Sequence, residues 1–128
     1  MTAAEAVVKR GGVIIMLAES GDGTGGDSFY HMIADKKDIF ETMSEIIARD
    51  RLETEPDQWE AQILIRILMR AHVIYVSAMP DEVIENMHMI PEHSLSSAVK
   101  AAKSLLGKDC AGITAIPDGI AVMVKGRT

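Results

Sequence analysis

The sequence predicts an α/β domain: a small three-layer unit with a mainly parallel sheet of three or four strands flanked by helices. Three observations predict it. Apolar runs without alternation, Val13 to Leu17, Val73 to Ser77 and Ile113 to Ile116, suit strands covered on both faces. The segments between them place apolar residues at helical spacing, the pattern of βαβ units with right-handed crossovers. The first run ends in a glycine-rich turn, Gly21, Gly23, Gly25 and Gly26, ahead of a helix start. That is where α/β folds put ligands.

At 128 residues, a single domain over 1–128 is expected. Ala3 to Lys9 reads as a short helix, with Thr2 as cap, Glu5 completing a capping box, and Gly11 and Gly12 as its stop. A helix so near the first residue suggests a chain cut from something longer. The strand Val13–Leu17 leads into the loop Ser20–Asp27, and Ser28 caps a helix to about Ala34. Asp38 caps the next, to about Arg49, with Ile39, Met43, Ile46 and Ile47 on one side. After a break at Leu52–Glu55, Pro56 sits in the first turn of a helix through Trp59 to about Arg70, apolar on most sides and so expected largely buried. Val73–Ser77 is the second strand. Pro80–Met87 is a short helix, Ile90-Pro91-Glu92 a connector, and Ser94–Leu106 an amphipathic helix stopped by Gly107. Ile113–Ile116 is the third strand, and Ile120–Val124, after the turn Pro117-Asp118-Gly119, a final edge strand.

Composition narrows the function. A formal charge of −6 with no basic cluster argues against a nucleic-acid partner. No apolar run reaches the ~18 residues of a membrane span, and no signal-peptide core is present, so no membrane partner is expected and the cytoplasm is the default. The single Cys110 excludes an internal disulfide and any multi-cysteine metal site. Aromatic residues make up only 4%, so the core is expected to rest on Ile, Val, Leu, Ala and the nine Met.

The candidate residues each carry two readings. The loop Ser20–Gly26 either presents backbone N–H groups to a phosphate or carboxylate at a helix start or is a tight turn needing positive φ. Gly21, Gly23 and Gly26 do satisfy G-x-G-x-x-G, but Asp22 and Asp27 make it acidic, no P-loop lysine follows, and a lone match is a weak signal. Glu19 and Asp22 suit acid–base or metal work or, as such residues more often do, cap turns. His31, His72, His88 and His93 never fall at metal-ligand spacing, and His72 reads as a half-buried structural residue. Cys110 has no histidine neighbour in sequence and is a poor candidate nucleophile. Trp59, the only tryptophan, is either a core anchor or an aromatic wall over a ligand, since a first-turn residue sits at the sheet edge where α/β ligands bind.

AAEAVVKRGGVIIMLAESGDGTGGDSFYHMI, PDQWEAQILIRILMRAHVIYVSA and ITAIPDG together resemble the C-terminal domain of the nickel-dependent lactate racemase family, over nearly the whole chain. The acidic-plus-glycine loop Glu19–Phe29 and the Trp59 helix are the most specific parts. The resemblance implies a two-domain enzyme that interconverts 2-hydroxy-acid stereoisomers at an interdomain active site. It implies a nickel-pincer nucleotide, tethered to a lysine, that takes hydride from the α-carbon and returns it to either face. The acid–base histidines, a nickel-ligating histidine and the tethering lysine belong to the family's N-terminal domain. The family's Tyr-Gln-x-x-Lys-Gly motif lies immediately before the helix that opens this sequence. What carries over is Trp59, matching the family's active-site tryptophan by the cofactor and substrate. More loosely, the loop with Gly21, Asp22, Gly23, Gly25 and Gly26 is implied to face the cleft.

The resulting expectation is a C-terminal domain that closes the active site against an N-terminal catalytic domain, with a small 2-hydroxy acid as substrate. No catalytic residue, metal ligand or cofactor is expected on this chain alone, which is then inactive by itself. The alternatives are a free-standing binding or interaction module that kept the fold without the chemistry, and a small independent α/β enzyme using Glu19, Asp22 or Cys110.

Overall fold

The computed structural model describes residues 1–109 and 112–124. The order is α1 (Thr2–Glu5), β1 (Val13–Leu17), α2 (Asp27–Ala34), α3 (Ile39–Ala48), a 3-10 turn (Arg51–Glu53), α4 (Gln58–Leu68), β2 (His72–Val76), α5 (Asp81–Asn86), β3 (Ile90–Glu92) and α6 (Leu95–Leu106). The three strands form one parallel sheet in the order β1-β2-β3. Val13 pairs with His72 and Leu17 with Val76 along β1 and β2.

Side chains alternate across a strand, and the two faces of the sheet use that alternation. Ile14 and Val73, partners in register, enter the main core with Ala61, Leu64 and Ile65 of α4. Helices α1, α2 and α3 pack on α4 and complete that layer. The next register pair, Ile15 and Ile74, faces the other way, where α6 packs across all three strands. Ile74 and Ala98 are fully covered. The result is helix on sheet on helix, the three-layer α/β arrangement expected.

Local chemistry explains most boundaries. Asp38 accepts a 2.7 Å hydrogen bond from the Phe40 N–H, the N-cap of α3. Its replacement by alanine frees that donor; a loss of about 1 kcal/mol in urea unfolding is expected. Ser94 caps α6 through the Ser97 N–H, and Gly107 closes it with a left-handed turn. Gly12 is needed for closeness: a Cβ there would stand 2.8 Å from the Lys9 carbonyl oxygen.

Several expected details differ. Thr2 and Glu5 form no capping box; α1 is capped at Met1 without a side-chain bond, and Glu5 instead grips Arg66 of α4 through two bonds of 2.7 and 2.8 Å. That pair raises the Arg66 pKa, by hydrogen bonding first and charge second. A raised pKa of this origin adds stability while the Glu5 carboxylate is charged, and that gain is lost as pH rises through the raised arginine value. Ser28 does not cap α2, because its hydroxyl donates to the Pro56 carbonyl at 3.0 Å. Pro56 lies just ahead of α4 rather than in its first turn.

The third strand is not Ile113–Ile116 but Ile90–Glu92, expected to be a connector. Pro91 cannot donate to a ladder, so this strand is short and takes a sheet edge, where the missing donor costs least. Ile113–Ile116 and Ile120–Val124 form no strand; Ile113 is 72% exposed and Ile120 99%. A four-residue apolar run looks the same whether a sheet or another surface covers it. His72 is exposed rather than half-buried, because β2 starts one residue early and takes it as its first residue.

Candidate functional site

Parallel pairing brings the carboxyl ends of β1 and β2 side by side. β1 continues into the glycine loop. There Ser20 holds a left-handed conformation, φ 56°, with its Oγ 2.8 Å from Tyr75 Oη at the end of β2. Gly23 and Gly25 follow at φ 78° and 90°, a region in which a side chain is strained. The loop ends at Gly26, whose backbone is extended. A Cβ there would stand 3.0 Å from Asp57 Oδ2, so the loop rests on the residue that precedes α4.

Two helix starts therefore meet. α2 follows the end of β1, and α4 runs back to the start of β2, so both amino ends lie at the carboxyl edge of the sheet. Their unpaired N–H groups point to this edge, where Asp27, Asp57 and Glu60 already supply negative charge. On the first turn of α4, Gln58 is turned inward, 8% exposed, and accepts a 2.8 Å bond from Arg49 Nη1. The other arm of Arg49 reaches Glu55 Oε1 at 2.8 Å. Successive helical residues differ by about 100°, so fixing Gln58 inside sends Trp59 out. Trp59 is 63% exposed.

Below the loop is an apolar cavity of about 80 Å³. Gly23 and Thr24 form part of its wall, with Phe29, Tyr75, Met79 and Met87. Tyr75 thus spans two environments, its ring in the cavity wall and its hydroxyl on Ser20. Changing Tyr75 to phenylalanine keeps the ring and removes the bond. Equilibrium unfolding should register a loss of about 1 kcal/mol, and amide exchange should quicken at Ser20–Thr24.

The structure brings together Gly26, Asp57 and Trp59 at one edge, with Gly21, Asp22, Gly23 and Gly25 exposed in the loop leading there. Glu19 is exposed as well. The histidines are dispersed. His31 lies 3.3 Å from Asp35, His93 3.4 Å from Asp81, and His88 bonds the Lys36 carbonyl at 3.0 Å. Among the described residues no three of His, Cys, Asp or Glu are grouped to hold a metal ion. Cys110 lies outside the described residues. Also among the described residues, no helix is long and apolar enough to cross a membrane. Sequence reasoning missed Tyr75 and the Arg49–Gln58 bond. A polar-tipped aromatic near the end of a buried run was a usable signal for Tyr75. Nothing local announces a bond across nine residues.

Fold and edge together define an α/β domain whose glycine loop and two helix amino ends open to solvent at the carboxyl ends of parallel strands. Residues 1–124 match the family of the lactate racemase C-terminal domain. The chain is 49% identical to the lactate racemase of Lactiplantibacillus plantarum over 98% of its own length. It is 47% identical to the lactate racemase of Thermoanaerobacterium thermosaccharolyticum over 99%. The solved lactate racemase apoprotein from T. thermosaccharolyticum superposes with a TM-score of 0.93, at 46% identity over 98% of the chain. The chain belongs to the lactate racemase C-terminal domain family. It spans 30% of the length of each of these relatives.

Proposed function

We propose that this chain is the C-terminal part of a cytoplasmic racemase or epimerase of lactate or a related 2-hydroxy acid. It presents Trp59 and the glycine loop to an active site shared with an N-terminal catalytic domain. The observation that carries this reading is the position of Trp59: a large apolar side chain left mostly in water, on a turn fixed from behind, beside the loop of a lactate racemase relative. Unpaired burial of so large a ring against a partner domain would exclude water from the reacting groups and hold them in register.

The cofactor that the family resemblance implies, a nickel-pincer nucleotide, would supply the hydride acceptor. The described residues offer it no nickel donor set, so no step of the reaction is assigned to a metal ligand on this chain. Its own residues have other work. The Trp59 ring walls the cleft, and the Ser20–Tyr75 bond holds the loop in place. The acid–base groups are assigned to the N-terminal domain, and the chain alone is expected to be inactive.

The test is a graft. This chain replaces the C-terminal 30% of the L. plantarum racemase, and interconversion of L- and D-lactate is followed by chiral chromatography. Racemisation by the folded graft supports the reading. A folded, cofactor-loaded graft without racemisation of lactate or any small 2-hydroxy acid overturns it.

A further inference from the structure

Resting on that reading, we propose that Arg49 is the positioning residue of Trp59: a clamp on the turn Glu55–Gln58 that fixes where the indole stands. A side chain 63% exposed gains little from packing, so its place depends on the backbone that carries it. That backbone has no cap of its own. Asp57, the residue before α4, is left-handed at φ 60° and makes no side-chain capping bond.

The turn is held from outside instead, at each of its residues. One arm of Arg49 reaches Glu55 Oε1 at 2.8 Å, and the other donates to Gln58 Oε1 at 2.8 Å. Between them the Pro56 carbonyl accepts the Ser28 hydroxyl at 3.0 Å, and the Asp57 carboxylate lies against Gly26. Arg49 thus ties both ends of the turn to the end of α3. A guanidinium has a planar fork that spans two acceptors, which an ammonium lacks. A cation that served only the carboxyl end of α3 could be lysine and could stay in water. This one is drawn over to the neighbouring turn and is only 22% exposed. Without it, Gln58 Oε1 keeps just the Glu55 N–H, at 3.5 Å. A buried acceptor so poorly paired turns toward water. Gln58 belongs to the first turn of α4, and its movement takes Trp59 with it.

The racemase graft carries the test, through a double-mutant cycle on folded, cofactor-loaded protein. Arg49→Met should lower kcat for lactate about tenfold where Trp59 is present, since small misplacements near the reacting groups are costly. In a Trp59→Ala graft the same change should cost less than about twofold, because the ring it positions is gone. An equal loss in both backgrounds makes Arg49 merely structural and overturns the proposal. So does no loss in either when Trp59→Ala is itself slow, and the racemase reading then stands. A second readout needs neither cofactor nor turnover. With fluorotryptophan incorporated, the fluorine NMR line of Trp59, assigned by its disappearance in Trp59→Phe, should shift or split in Arg49→Met. An unmoved line overturns the clamp. A moved line in a graft whose activity ignores Trp59→Ala keeps the clamp and removes Trp59 from the cleft. If Arg49→Met does not fold, Arg49→Lys replaces it in both measurements: one ammonium cannot hold both ends, and both effects should persist at reduced size.

Discussion

Replacing Trp59 by alanine should leave the fold standing and cut racemisation about a hundredfold in the complete enzyme. With the residue 63% exposed, roughly a third of its surface is covered. At ~25 cal/mol per Å² of a ring burying at most ~250 Å², its removal costs no more than about 2 kcal/mol. A core tryptophan cut to alanine would cost about 3–5 kcal/mol. Urea unfolding of Trp59→Ala separates the two cases. A loss in the upper range would return Trp59 to the core and remove the wall from the cleft. Racemisation unchanged in a folded Trp59→Ala enzyme would do the same from the other side. Phenylalanine at this position should recover part of the activity, since a wall needs a flat apolar face more than it needs the indole N–H.

The largest effect on stability is expected at Ile65. It is fully buried on α4, between the sheet and the helices that complete that layer. Ile65→Ala removes three carbons at a place where neighbours on several elements would have to move together to refill the space. The loss should be about 2–5 kcal/mol. Domains of this size hold only about 5–15 kcal/mol in total, so the variant is expected to sit near its unfolding threshold at physiological temperature. Circular dichroism during thermal melting checks this. A shift of only a degree or two would mean that the core repacks freely, and that α4 is not the rigid support on which the placement of Trp59 depends.

Residues whose signal is local were legible in the sequence. Asp38 caps the helix it was expected to cap, Gly107 stops α6 as expected, and β1 and β2 follow from five-residue runs. The misplaced strands have one cause: an apolar run reports that a surface will be covered, without saying by what. Ile113–Ile116 satisfies the strand pattern and joins no sheet, whereas Ile90–Glu92, interrupted by proline, does. The site was legible as a place and not as an arrangement. The glycines mark the loop, and the first turn of α4 marks Trp59. The choice between core anchor and exposed wall was closed to the sequence, since either role uses a tryptophan there. Arg49, drawing Gln58 inward from the end of α3, accompanies a Trp59 that is 63% exposed and so not a core anchor.

Because the single tryptophan stands mostly in water, the chain carries its own optical reporter of assembly. Its emission in the isolated chain should resemble that of free indole and be readily quenched by iodide. Unfolding should change it little, so fluorescence would be a poor gauge of the melting of this fold. Closure of a partner over the carboxyl edge, by contrast, should shift the emission to the blue and shield it from the quencher. The same signal that is nearly blind to folding would thus follow docking in real time, with no label added.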